Sequence, residues 1–228
     1  MRIYRNSLSR TIDSVNESFF FGHDSTQAER DEIAQWIAAR QGKPNCYADM
    51  FAPTPTEMRE GIVLFTGERL GPSASLRHVS GEEACRAVIL LGSKAKAVQS
   101  SLAGATNAMV TRLSHFQPNK AGMFCCGTCD PALWRHLAVG GLRGAEEWLA
   151  IGLKALKAHR DGNGKWRRFP FFYTMLALLE IDDPKAIAEM RYAAPTGAAY
   201  LRRAANTENP DPTRLRRRSV LERAMKLI

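Results

Sequence analysis

The chain has 228 residues, 45% of them hydrophobic and 24% charged, with 32 Lys and Arg against 23 Asp and Glu. That length makes one large domain, or one and a half small ones, and is enough to bury a core. No apolar run nears the roughly 18 residues of a bilayer span, so a membrane-embedded role is set aside. The opening Met1-Arg2-Ile3-Tyr4-Arg5-Asn6 lacks the apolar stretch of a secretory signal, and the expected location is the cytoplasm. In a reducing compartment structural disulfides are not expected, so clustered cysteines lean toward metal or redox chemistry. The charge is lopsided. Residues 1–114 carry 13 basic against 12 acidic side chains, and residues 115–228 carry 19 against 11. A basic half of this kind suits an anionic partner, nucleic acid among the candidates, or simply a solvated basic face.

In chain order, residues 1–24 read as an N-terminal extension with little pattern. Its Phe19-Phe20-Phe21 either drapes over neighbouring helices or pairs with a second copy as a homodimer. A helical domain over 25–205 follows. Thr26 with Glu29 forms a capping box for a helix through Ala39. Thr54-Pro55-Thr56-Glu57 supplies a cap, a first-turn proline and an acid that reaches back, for a helix to about Glu68. Ile62-Val63-Leu64-Phe65 is β-branched at its start but falls inside that helical frame, and no strand is expected. Ser80 with Glu83 reads as a third box opening a helix through Leu91, and Lys94 to His115 as a fourth helix.

Asp130-Pro131 opens a helix carrying Leu133, Trp134 and Leu137. Gly144 to His159 is apolar at helical spacing and stops at the turn Asp161-Gly162-Asn163-Gly164. Pro170 begins a very apolar helix through Leu179. Asp183-Pro184 begins the next, Pro195 another, and Asp211-Pro212 precedes a basic C-terminal helix within 206–228. Helices of ordinary length with short connections give an all-α fold of antiparallel hairpins, packed as a bundle or as a curved helical-repeat array.

Three of the five cysteines lie in Phe124-Cys125-Cys126-Gly127-Thr128-Cys129-Asp130-Pro131. Cys126 and Cys129 form a C-x-x-C pair beside a helix N-terminus, whose positive potential favours thiolate. The pair fits a dithiol redox site, although the usual βαβ setting of such sites is missing. It also supplies two ligands of a zinc or iron site, with His136 two turns on as a third and Cys125 as its competitor. A four-cysteine iron–sulfur site would have to recruit Cys46 or Cys85 from afar. The plainer alternative is a tight loop of small, inert residues.

A second constellation is basic. Lys154, Lys157, Arg160, Lys165, Arg167 and Arg168 stand against Asp161 alone between 154 and 168, and Arg216, Arg217 and Arg218 follow in the last helix. Arginines on phosphate with Trp166 stacking on a base would make a nucleic-acid surface. Trp166, Phe169 and Phe172 as hydrophobic anchors, with the basic groups reaching to water, is the competing reading.

The order Asp161-Gly162-Asn163-Gly164-Lys165-Trp166, followed by the apolar Phe171-Phe172-Tyr173-Thr174-Met175-Leu176-Ala177-Leu178-Leu179, resembles a repeat of the α/α-toroid proteins. Those are the terpenoid cyclases and protein prenyltransferases, where a Gly-x-Trp turn precedes an inner helix. The resemblance covers about residues 161–180. It implies local helical-repeat architecture and an apolar pocket near Trp166 and Tyr173, around which an enzyme could be built. The D-x-D-D motif of the cyclases is absent, since Asp182-Asp183 reads as a helix cap, and the prenyltransferase zinc set has no counterpart. No catalytic residue carries over.

Serine-elbow, phosphate-loop, zincin and dinucleotide motifs are missing. The adjacent acids Glu82-Glu83 and Glu146-Glu147 read as first-turn partners of the helix dipole, and His23, His78 and His115 as ordinary hydrogen-bonding groups. Three functions stay open: a basic binding or scaffold protein, a thiol or metal protein centred on Cys126 and Cys129, and an enzyme with a pocket at Trp166 and Tyr173.

Overall fold

A computed structural model describes residues 1–115, 122–204 and 211–228. The domain boundary expected at 205/206 lies outside the described residues. Those residues form ten helices and one two-stranded ribbon: α1 Leu8–Phe21, α2 Gln27–Ala38, α3 Glu57–Glu60, β1 Ile62–Val63, β2 Arg69–Leu70, α4 Ala74–Leu91, α5 Lys96–Ser114, α6 Cys129–Ala138, α7 Ala145–Ala158, α8 Phe171–Leu178, α9 Pro184–Ala204 and α10 Pro212–Leu227. The all-α expectation holds. Among the described residues no helix is long and apolar enough to cross a membrane.

Several start signals work as expected. Thr26 accepts from Glu29 N while Glu29 reaches back to Thr26 N at 2.8 Å, a complete capping box. Asp211 caps Arg214 N ahead of Pro212. Four expectations fail. The segment 1–24 is no patternless drape, since α1 buries Leu8, Ile12 and Val15. The third helix starts at Ser73, which accepts from Leu76 N, so Ser80 and Glu83 fall mid-helix and their box is not a box. Pro195 lies inside α9, where it begins no new helix.

The fourth failure is instructive. Thr54 and Glu57 do exchange the expected bonds, at 2.7 and 3.2 Å. Glu57 also accepts from Ser7 Oγ and Ser9 N, tying this cap to α1. The helix nevertheless ends at Glu60, because Gly61 turns to φ 84° and a Cβ there would meet Leu70 O at 2.4 Å. Ile62–Val63 then pairs antiparallel with Arg69–Leu70.

α4 is the hub. It packs against α1, α2, α5 and α6, and α6 in turn packs against α7 and α8. Buried on nearly every side, α4 carries polar residues into the core: His78, Ser80, Glu82, Glu83 and Arg86. Buried polar groups need partners. Glu83 pairs with Arg135 of α6 and accepts from Tyr173 Oη of α8. Arg86 donates to Glu180 at 2.7 and 2.8 Å and to Asn16 of α1 at 2.6 Å. Arg135 also reaches Glu180, so one polar network joins α1, α4, α6 and α8.

Candidate metal centre

The cysteine loop enters this core sideways. Asp130, buried in the first turn of α6, accepts Phe124 N at 3.1 Å and Cys125 N at 3.0 Å. Those two bonds bend residues 124–129 back over the helix start. Gly127 lets the loop lie flat on its neighbour, because a Cβ there would sit 2.0 Å from Arg168 O.

The sulfurs gather as a result. Cys126 Sγ lies 3.2 Å from Cys129 Sγ and accepts Cys129 N at 3.4 Å. Hydrogen bonds from the Cys125 and Cys129 thiols, and from the N–H groups of Cys129 and Thr128, hold the Cys126 thiol low. The same two sulfur neighbours, with burial, push the Cys129 thiol up. Three thiols crowded together cannot all ionise unaided, and a cation between them would remove that penalty.

A histidine of α4 joins two of these thiols. A ring nitrogen of His78 and the Sγ atoms of Cys125 and Cys129 all lie within 4.8 Å of one another. His78 is 0% exposed. Its Nε2 bonds Glu82 Oε1 at 3.0 Å, while its buried Nδ1 makes no hydrogen bond of acceptable geometry. The Cys125 thiol is close enough to interact with the ring. Burial opposes charge on His78, yet the Cys125 thiol and Glu82 outweigh it and push the imidazole up to about 9.

Behind His78 stands a relay. Glu82 Oε2 takes His136 Nδ1 at 2.6 Å, so one buried carboxylate is flanked by two imidazoles. Burial alone would raise Glu82, but the two histidines hold it down at about 2. A carboxylate on the far nitrogen of a ligating histidine fixes ring orientation and tautomer. His136, expected as a ligand, stands two hydrogen bonds behind His78, with Glu82 between them. The Tyr47 ring stacks on His78 with centroids 4.0 Å apart.

Of the expected metal or thiol residues, then, Cys125, Cys126 and Cys129 come together and His136 supports them. His78 and Glu82 were missed as members. One signal was available, a His and a Glu four apart in one helix, which puts both on one face. Glu82 and Glu83 are not dipole partners but belong to two separate buried networks.

The basic constellation is dispersed. Arg160 pairs with Glu189, Arg216 with Glu17 and Arg218 with Glu222, and Arg217 donates to Thr66 O while lying over the Phe172 ring. Arg168 is a turn residue at φ 72°. Lys154, Lys157, Lys165 and Arg167 remain exposed. Trp166 is buried and donates Nε1 to Glu189 at 2.9 Å, and Tyr173 belongs to the Glu83 network, so these two side chains are packing and polar-network members. Phe19, Phe20 and Phe21 pack against the protein's own core, with Arg223 over the Phe20 ring at 3.8 Å.

Comparisons with protein-family models, with curated proteins and with solved structures find no match for this chain. The site therefore has to be read from its own chemistry.

Proposed function

We propose that this is a zinc-dependent helical protein, in which Cys125, Cys126, Cys129 and His78 hold one ion that clamps the 123–130 loop to α4. Three thiolates and one imidazole are a soft, four-coordinate set, the donor number and type of zinc. The observation that carries the reading is the grouping of a ring nitrogen of the fully buried His78 with the Cys125 and Cys129 sulfurs within 4.8 Å. Two further features support it. The amide-to-sulfur bond onto Cys126 stabilises thiolate, and Glu82 with His136 supplies the outer support that a ligating imidazole uses. The same donors can take iron, so the metal is identified by measurement.

Elemental mass spectrometry on protein purified without added metal tests the proposal. The expected result is close to one zinc per chain, lost in Cys126→Ser and in Cys129→Ser. Metal-free protein whose folded thiols all react with a disulfide reagent would overturn it.

A second reading keeps the basic half. Lys154, Lys157, Arg160 and Lys185 line a groove of about 500 Å³ between α7 and α9, with Glu147 and Glu189 as its acidic members. An anionic polymer seated there would bind with steep salt dependence. Binding that is absent, or indifferent to salt, in a titration with single-stranded nucleic acid would dismiss it.

A further inference from the structure

The buried network around Glu83 and Arg135 has a cavity beside it. The cavity is about 20 Å³, room for one water-sized group. It lies between α1, the 62–65 segment and α4, with Arg135 and Tyr173 also in its lining. None of the candidate metal ligands lines it. Two buried oxygens of lining residues, Ser80 Oγ and Glu83 Oε2, have no hydrogen-bond partner among the described residues. Buried polar atoms in that state are costly, and two of them at one cavity point to a ligand.

The donors around them are already engaged. Tyr173 Oη donates to Glu83 Oε1, and every nitrogen of the Arg135 guanidinium donates to Glu83, Glu180 or Asn16. Charge is unbalanced in the same sense. Among the described residues the carboxylates of Asp13, Glu17, Glu83 and Glu180 form their ion pairs with Arg86, Arg135 and Arg216 alone, so one negative charge is left over. The loosest of these pairs is at Asp13, which lines the cavity: Arg216 stands 3.8 Å from it but 2.5 Å from Glu17. Burial pushes the Asp13 carboxyl up to about 7, against Arg216 and Arg135 and helped by the charges of Glu83 and Glu17. The rest of the wall is apolar, with Ile12, Leu64 and Val79 among its members. A groove of about 580 Å³ shares Ser9, Asp13, Ile62 and Val63 with the cavity, and carries Glu57 and Glu60 against Arg10 and Arg69.

We propose that this cavity receives the primary ammonium group of a small alkylamine, with Ser80 Oγ, Glu83 Oε2 and the Asp13 carboxylate as its acceptors. What the lining leaves unmet is acceptor oxygen and one negative charge. A primary ammonium supplies three N–H donors, one positive charge and no acceptor, in the space of a water molecule. Its carbon chain suits the apolar wall and the shared edge at Ile62 and Val63, through which the amine enters from the groove. The site is independent of the metal reading.

Methylammonium chloride is the probe, titrated calorimetrically into the full chain at pH 8 and fixed ionic strength. Tetramethylammonium, a cation without donors, and potassium, a cation without a carbon chain, are run beside it. The expected result is saturable binding of methylammonium and none of tetramethylammonium or potassium. Ser80→Ala removes an unpartnered hydroxyl, so the fold tolerates it, and it should weaken binding about tenfold or more, the scale of one hydrogen bond to a charged group. Asp13 accepts as the carboxylate, so affinity should fall about tenfold from pH 8 to pH 6 as the competent fraction shrinks. Asp13→Asn should weaken binding at pH 8 and flatten that pH dependence, which separates Asp13 from His23 in the groove on its other side. No saturable methylammonium binding means that the cavity holds water only and overturns the proposal. Equal binding of potassium reduces it to a plain monovalent-cation site and overturns the amine assignment. Methylammonium binding that survives both Ser80→Ala and Asp13→Asn unchanged lies elsewhere on the protein and overturns it too.

Discussion

At the scale of single residues, Glu82 decides how the candidate centre is held. As a carboxylate it accepts from two imidazoles at once. Glu82→Gln has the same shape but must donate to one of them, so one contact is lost or a histidine tautomer changes. Loss of such outer support typically weakens metal affinity about 10–100-fold. Competition with a chelator should show that loss with the helical circular dichroism unchanged, and an unchanged affinity would remove Glu82 from the site. Asp13 behaves in the opposite sense. Burial pushes it up to about 7, against the pull of Arg216. A carboxyl raised on folding contributes stability that is full below its ordinary value of 3.8 and is lost as pH rises through 7. The Asp13→Asn variant carries no such penalty. Its melting temperature should pull ahead of the parent progressively from pH 4 to pH 8, since titrations shared by both proteins cancel. A gap of constant size over that range would contradict the burial argument.

At the scale of elements, close approach matters more than helix propensity. Gly127 brings the cysteine loop onto Arg168, and Gly152 of α7 lies where a Cβ would meet Trp134 Nε1 at 2.2 Å. Gly127→Ala must push the loop off the 168–169 backbone, at a cost of about 1–3 kcal/mol for overpacking. It should lower both the melting temperature and the metal affinity; a variant with normal affinity would show that the loop tolerates the shift. The same scale explains what could be read in advance. Local signals were legible: the box at Thr26, the prolines opening α8 and α10, and three cysteines close together in sequence. Features set by distant chain were not. Nothing near residues 57–60 reveals that Gly61 will turn to meet Leu70. His78 stands 47 residues before Cys125 in a helix whose polar residues face the core, so local reading made Glu82 and Glu83 dipole partners and His78 an ordinary hydrogen-bonding group.

Across the whole molecule, the two buried polar systems divide the labour. The Arg135–Glu83–Glu180–Arg86 network ties α1, α4, α6 and α8 without metal, whereas the thiol and imidazole cluster ties the 123–130 loop to α4. Removing one member of a buried ion pair strands the other, at about 3–5 kcal/mol. Glu83→Ala should therefore lower stability in urea by that amount with or without chelator, and a loss under 1 kcal/mol would mean the network is dispensable. Chelation of the parent should cost stability by a different route, because an ion bound only by the folded state adds to its stability by mass action. The most direct test of the metal centre is the visible spectrum of the cobalt-substituted protein. The account predicts one cobalt per chain, with intense tetrahedral d–d bands and a sulfur-to-cobalt charge-transfer band that shrinks in Cys125→Ser, Cys126→Ser and Cys129→Ser alike, and d–d bands that shift in His78→Ala. A weak octahedral spectrum, or one that ignores the loss of His78, would contradict it.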